Sequence, residues 1–532
     1  MEPLLISRKK QCDGRARRIP TQLWLVTSPN RGCIKIEVQT GIDWISALPD
    51  SLIVQILSML PIVDAWTTTI LSKLWQNLWT CIHNLNCYRS KTDWSDNRFI
   101  SFMDNALPLL TSSKIESFTL HLRPNLALSN YSHKLDKWLE IVLKKGVEDF
   151  ELDVWHCSVP FGFYLDSDVY RLPQDLCSSS SILKLNCQYC RIPEDCILNW
   201  TSLKSLTLSC MLIREEHMEQ ITSNCHQLES LKLCNFCGFH RLHLTSPKCT
   251  RLELIDHTHP VDYMRGDCYF EIVAPYVQHL RISGDFDGVE NRLGDLSSLI
   301  HADLTCYLYD YDVDDKIDKT IVKDHLTSIA CAKELIISPW YIEVSLHFMS
   351  FYANMNIYSV WQKEDVLLPL LECKQLTINS WIKNYTFLGI ANLLRSTPCL
   401  ENLTIILPEE LDGIMFGIGF FSKDMWDQSC AALETAFYNE RHGLMDVLGD
   451  KYTNIFKCSL QNLKNLKVIL QWTPCLVDDP PELTKLMNSL LEHAKNLEKL
   501  IIVHEDYFKR IENLLALLRV SNSTVVVSVE SC

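Results

Sequence analysis

The chain has 532 residues, 47% hydrophobic and 22% charged, with a formal net charge of −15. Such a composition supplies a sizeable core and excludes wholesale disorder; the length allows two or three domains or one long repeat array. The acidic balance repels phosphate backbones, so nucleic acid is not an expected partner, and no apolar run is long enough to span a bilayer, so no membrane is expected either.

Residues 1–40 lack helical periodicity and read as a basic, disordered tail. Leu4, Leu5 and Ile6 are followed at once by Arg8, Lys9 and Lys10, which is no secretory signal peptide. With Arg15, Arg17 and Arg18 these form a candidate two-part nuclear import signal, since short basic clusters are read that way. The cysteines number 23. Without a signal peptide they fit reduced, buried thiols of the nucleus or cytoplasm better than a disulfide framework.

Residues 41–86 carry the densest pattern of the chain. Leu48, Pro49 and Asp50 open a helix: proline lacks an N–H that would be unpaired there, and an acid suits the helix dipole. Leu52, Ile56, Leu57 and Leu60 follow at helical spacing. Pro61 closes this helix, because the residue before a proline is pushed out of the α region. Asp64 can cap a second helix running through Ala65 and Ile70. Ser72 can cap a third, which carries Trp75, Leu78 and Trp79. Three short helices bury too little to be robust alone and gain from a partner over their apolar face.

From Asp43 through Trp79, with Ile45, Ser46, Ser58, Thr68, Leu71 and Lys73 among the matching positions, this stretch resembles an F-box. The resemblance implies docking to a Skp-type linker and, through it, a cullin. It places Leu48, Pro49, Leu52, Ile56, Leu57, Leu60, Pro61, Ala65, Leu71, Trp75, Leu78 and Trp79 at the linker. The plant F-box/leucine-rich-repeat group is the nearest likeness. That group usually carries arginines where this chain has Thr67, Leu74 and Gln76.

A helix is expected over Asn97–Leu110. A short strand with alternating leucines then recurs, the form L-x-x-L-x-L. Copies run from Ile115–Leu120 and Val147–Val154 through LKSLTLSC (Leu203–Cys210) and LESLKLC (Leu228–Cys234) to Leu400–Ile405. Most starts are spaced by about 20 to 35 residues, the range of one strand and its return segment in a leucine-rich repeat. One repeat cannot bury its apolar face, so neighbours stack around a continuous core. The expected fold is α/β: a three-helix F-box, an irregular leucine-rich-repeat solenoid over 87–371 with a parallel sheet on its concave face, and a C-terminal α/β cap. Outward residues such as Lys184, Lys204, Thr207, Glu229, Lys232, Arg251 and Glu253 would line that sheet. Residues 372–532 resemble the FBD domain of plant F-box proteins, chiefly over Leu490–Ile502, with an acidic insertion near 408–456.

Two C-x-x-C pairs, Cys187/Cys190 and Cys234/Cys237, have zinc-like spacing. Both fall at the ends of L-x-L strands, where cysteine packs as a small hydrophobe, so no metal is expected. Asp310–Asp315 opens like a calcium loop, but Asp315 and Ile321 hold the positions that need Gly and Glu. His257 and His259 read as loop or surface residues. Nothing assembles a nucleophile, base and orienter; no cofactor and no catalysis are expected. The resemblance implies the substrate-recognition adaptor of an SCF-type ubiquitin ligase, holding a protein substrate. A non-degradative scaffold or decoy, motivated by Thr67, Leu74 and Gln76, and a small-molecule co-receptor are the alternatives.

Overall fold

The computed structural model describes residues 20–26, 35–40, 48–88 (except 72 and 74), 95–122, 131–155, 169–257, 269–286, 290–307, 319–338, 341, 368–407 (except 381 and 383–385), 460–470, 481–504, 518 and 525–531. They fall into two compact units, Met1–Leu120 and His121–Cys532.

Within the segment read as a disordered tail, Pro20–Val26 and Lys35–Thr40 form an antiparallel strand pair. The second strand alternates polar and apolar residues, and the register sets Leu23 opposite Val38 and Leu25 opposite Ile36. A period of two is what a pleated pair needs. The basic cluster from Arg8 to Arg18, the aspartate run at 310–315, His259 and the 408–456 insertion lie outside the described residues.

In the first unit, α1 (Asp50–Ser58) and α2 (Ile62–Thr67) are joined by a tight turn, and a 3-10 turn (Thr68–Ile70) follows α2 before α3 (Trp75–Leu78). Pro49 stands at the N-cap of α1, where its carbonyl accepts from the Leu52 and Ile53 amides at 2.9 and 3.2 Å. Pro61 does the same for α2, accepting from Ala65 N–H at 2.9 Å. Helix α2 therefore starts on Pro61, with Asp64 inside its first turn instead of capping it. Fixed φ and no N–H suit both prolines to a helix start. Helix α1 buries Ile53, Val54, Leu57 and Ser58. Ser58 hydroxyl donates to the Val54 carbonyl at 2.8 Å and accepts from His83 N–H at 3.3 Å, joining the end of α1 to the strand Asn84–Tyr88. A further helix, Asp96–Ala106, adds Phe99, Ile100 and Met103 to this core. The Phe102 ring meets Trp66 edge-on at 5.5 Å.

The second unit is organised by one parallel sheet in which sheet order equals chain order. Its strands run Asp149–Val154, Lys184–Gln188, Ser205–Leu212, Ser230–Cys237, Arg251–His257, His279–Asp285, His301–Tyr307, Glu334–Ile337, Gln375–Asn379, Asn402–Leu407, Asn465–Leu470, Lys499–His504 and Val526–Ser531. The register never slips by a residue. Leu206, Leu231, Leu252 and Leu280 stack in one inward row; Leu208, Leu233, Leu254 and Ile282 stack in the next. These side chains are buried almost completely. A one-residue slip would turn every leucine to the other face, so the alternation itself pins the pairing. The return segments differ in kind. Some are helices, such as Ser132–Leu143 and Glu215–Asn224; others form a second small parallel sheet of Arg241–His243, Tyr269–Val273 and Glu290–Leu293.

The C-terminal α/β region covers the sheet's end by continuing it. Asn465–Leu470 pairs along its whole length with Asn402–Leu407, then with Lys499–His504, and the helix Pro481–His493 lies between them in sequence. The strand Gln375–Asn379 pairs with Glu334–Ile337 across the 371/372 boundary without interruption.

Candidate functional site

Helix α1 has two apolar stripes. Ile53, Val54 and Leu57 face the core; Leu52, Ile56 and Met59, spaced i, i+4, i+7, stay exposed. Trp66, Ile70 and Leu71, on α2 and the turn after it, are exposed as well. Apolar side chains left in water at helical spacing mark a docking surface when they cluster in this way.

The residues that the resemblance assigns to the linker separate accordingly. Pro49, Leu52, Ile56 and Leu71 are exposed, and Leu48, Leu60, Pro61 and Leu78 are half-buried. Leu57, Ala65, Trp75 and Trp79 are buried inside the unit. Their side chains hold the three helices together and have little area to offer a partner. Met59, Trp66 and Ile70 are exposed apolar positions that helical spacing from Leu52 and Ile56 only partly flags; Met59 lies on their stripe, whereas Trp66 and Ile70 lie on later elements that this spacing does not reach. Thr67 and Gln76 are exposed and uncharged, and Thr67 hydroxyl donates to the Asp64 carbonyl at 2.7 Å. Ser72 and Leu74 lie outside the described residues.

In the second unit the sheet leaves one face open. Its rows carry ion pairs between neighbouring strands: Lys184–Asp149 at 3.6 Å, Lys232–Glu253 at 3.4 Å, Arg281–Asp303 at 3.4 Å and His301–Glu334 at 3.2 Å. Such exposed pairs contribute little to stability; they set the surface's charge pattern.

The cysteine pairs do not converge. Cys187 lies in the inward row with Leu208, which pairs in turn with Leu233, while Cys234 is in register with Ser209 and Ile255, in the next row over. Successive residues of a strand point to opposite faces, so Cys187 and Cys234 lie on opposite faces of the sheet. Burial pushes the Cys187 thiol up to about 12 and Cys237 to about 11, and holds Cys190 well above its ordinary value. Among the described residues no group of three or more His, Cys, Asp and Glu could hold a metal ion. His257, read as a surface residue, is buried. Its ring packs edge-on to Phe236 at 4.9 Å and stacks on Phe286 at 5.9 Å. Aromatic neighbours on adjacent strands make this position a core position.

A surface cavity of about 750 Å³ is lined by Lys374, Cys399, Glu401, Lys464, Lys495 and Glu498 among others. Glu401 accepts from Lys464 at 2.9 Å and pairs with Lys374 at 3.3 Å; those two lysines hold its carboxyl below the usual range. The cavity's cations are thus partly neutralised from within. Among the described residues no helix is long and apolar enough to cross a membrane.

Comparison with known proteins bears on both units. The F-box domain model matches residues 45–85. The model of the leucine-rich repeats of the FBD-associated F-box protein At5g56370 matches residues 135–285. Helices and stacked repeats together define an F-box protein with a leucine-rich-repeat array. The relatives are of the same kind. The putative F-box/LRR-repeat protein At5g02930 of Arabidopsis thaliana is 29% identical over 70% of this chain and 73% of its own. The putative F-box/LRR-repeat protein At3g18150 of the same plant is 26% identical over 90% of both chains. The F-box/FBD/LRR-repeat protein At1g78750 is 27% identical over 57% of this chain and 67% of its own. The chain is thus similar, over its F-box and its repeats, to F-box/leucine-rich-repeat proteins of Arabidopsis thaliana.

Proposed function

We propose that the chain is the substrate-recognition adaptor of an SCF-type cullin ubiquitin ligase. Its F-box docks a Skp-type linker, and its repeats hold a protein substrate. The chain makes no bond itself. It raises the effective concentration of substrate lysines near a charged ubiquitin carrier, which is catalysis by proximity. The observation that carries this reading is the stripe Leu52, Ile56 and Met59, exposed on a helix whose other apolar stripe already fills the core. The basic residues Arg8 to Arg18 extend the proposal to a nuclear site of action.

The test is a binding titration of the full chain with a Skp-type linker, followed by substrate half-life in cells. Micromolar or tighter binding together with a substrate half-life lengthened by F-box deletion supports the adaptor. Absence of linker binding at micromolar concentration defeats it. A second reading, a scaffold that docks the linker without delivering substrate, draws on the uncharged Thr67 and Gln76; linker binding with a half-life indifferent to the F-box would favour it.

A further inference from the structure

We propose that the open face of the sheet between Ser230 and Asp303 binds an acidic segment of a partner protein, held by Arg251, Arg281 and Lys232. The proposal rests on the adaptor reading and names the chemistry of what the repeats hold. Two rows carry it. In one, Lys232, Glu253, Arg281 and Asp303 follow each other in register across four strands; in the next, Arg251, His279 and His301 do so.

The signs alternate, but the depths do not. The side chains of Arg251 and Arg281 are 53% and 49% exposed, against 21% for Glu253 and 13% for Asp303. The carboxylates lie low and the guanidiniums stand over them, so an incoming ligand meets cations first. The contacts leave donors over. Arg281 Nε lies 3.4 Å from Asp303 Oδ2, and the Arg251–Glu253 approach of 3.8 Å is beyond hydrogen-bond reach. An arginine fork with unused N–H groups suits a carboxylate bidentately. The flanking acid Glu334 is already engaged, by His301 at 3.2 Å and by Gln375 Nε2 at 3.2 Å.

The same row brings a third basic side chain between the cations. His279 stands in register between Arg251 and His301. Burial first, and then the charges of Arg251 and His301, hold its imidazole below its ordinary value, against a smaller opposing pull from Glu334.

Spacing and neighbours favour an extended protein segment. Adjacent strands lie about 4.8 Å apart, so Lys232 and Arg281, two strands apart in one row, are roughly 10 Å apart. A polyproline-II segment advances about 3.1 Å per residue with three residues per turn, so acids at every third position share one face and match that interval. Towards the N-terminal side the open face continues with Ser205, Thr207 and Ser209, which offer hydrogen bonds to peptide groups. No Phe, Tyr or Trp occupies an open-face position of the strands from Ser205 to Thr305, and single-stranded nucleic acid asks for such stacking platforms.

The experiment uses the full chain and a fluorescent oligo-glutamate peptide, with the oligo-glutamine peptide as its control, read by anisotropy. The glutamate peptide is expected to bind at low salt and to weaken as salt rises; the glutamine peptide is expected not to bind. Replacing Arg251 and Arg281 by alanine should weaken binding at least about tenfold, a loss of about 1.4 kcal/mol. Arg251→Ala alone, which leaves the Arg281–Asp303 pair intact, should lose part of that and keeps the test valid where the double variant unfolds. Lys499→Ala, at the far end of the sheet, should change nothing. A variant with Leu52, Ile56 and Met59 replaced by alanine, which separates the chain from its linker, should bind the peptide as the wild type does, so failure here is distinct from failure of the adaptor reading. Equal binding by wild type and Arg251→Ala, binding of the glutamine peptide, or displacement by inorganic phosphate at the peptide's own concentration would each overturn the proposal.

Discussion

The two stripes of α1 should separate docking from folding. Consider the variant in which Leu52, Ile56 and Met59 all become alanine. Fully burying such a side chain contributes about 1.5–3 kcal/mol. Leu52 is 44% exposed, Ile56 42% and Met59 78%, so only that part of each remains for a partner to cover. The shares are about 0.7–1.3, 0.6–1.3 and 1.2–2.3 kcal/mol. Linker affinity should therefore fall by about 2.5–5 kcal/mol, at least ~50-fold at 1.4 kcal/mol per factor of ten.

Stability should fall by less than the covered shares of these side chains would suggest, because alanine is the best helix former and offsets part of the loss. The contrasting variant is Leu57→Ala. Leu57 is fully buried, and truncating such a leucine costs about 2–5 kcal/mol. It should lower the melting temperature of the first unit and reduce linker binding only in proportion to the unfolded fraction. Calorimetric titration with the linker and thermal unfolding, both on the full chain, make the measurement. A well-folded triple variant that binds the linker as tightly as wild type would refute the reasoning, and so would a Leu57 variant of unchanged stability.

Three further outcomes follow from the second unit. Truncation after Leu407 strips Asn465–Leu470 from the edge of Asn402–Leu407 and opens Leu403, Ile405 and Leu407 to water; the fragment should aggregate, and a soluble, cooperatively unfolding monomer by light scattering would contradict this. His217 is buried, with Nε2 against the Pro193 carbonyl at 3.1 Å, and burial first, then Arg214, sets its folded value below the ordinary one. The unfolded chain therefore binds more protons below about pH 6.5, so stability should fall on acidification through that value. Denaturant midpoints should show the fall to be steeper in wild type than in His217→Asn; parallel slopes would refute it. Gly284 sits at φ +83°, and a Cβ there would lie 1.9 Å from Asp256 Oδ1. Gly284→Ala should destabilise by about 1–3 kcal/mol, with part regained in an Asp256→Ala background; an unchanged unfolding midpoint would contradict this.

The repeat strands were legible because a period of two admits one burial pattern. Once Leu206 and Leu208 face inward, Thr207 must face out, and every later copy inherits that choice through the register. The F-box surface was less legible for the same kind of reason. On α1 the sets Leu52, Ile56, Met59 and Ile53, Val54, Leu57 both satisfy helical spacing, so periodicity cannot say which faces the core. Contacts from later in the chain decide it: Ser58 anchors the end of α1 to His83 at the entry to the Asn84–Tyr88 strand, which fixes the rotation of the helix. Trp75 and Trp79 show the converse. Large aromatic residues in a docking motif look like anchors for a partner, yet both are spent on the interior.

A second feature was hidden altogether. Tyr189, Cys210, Asn235, Asp256 and Gly284 all have positive φ. Each stands two residues past the second inward residue of its strand, and the strands are neighbours. Left-handed backbone costs an ordinary residue about 1–2 kcal/mol, and only Asn, Asp and Gly announce it in sequence. Tyr189 and Cys210 do not. Cys210 accepts it because the residues on either side are held in register: Ser209 with Cys234 before the bend, Met211 with Phe236 after it. The bend therefore propagates from strand to strand. It also resets the alternation, so that Met211, Phe236 and His257 return to the interior although they lie an odd number of residues past the inward leucines. That reset explains why His257 is a core residue. A strict period of two, continued past Leu254, would have put it in water.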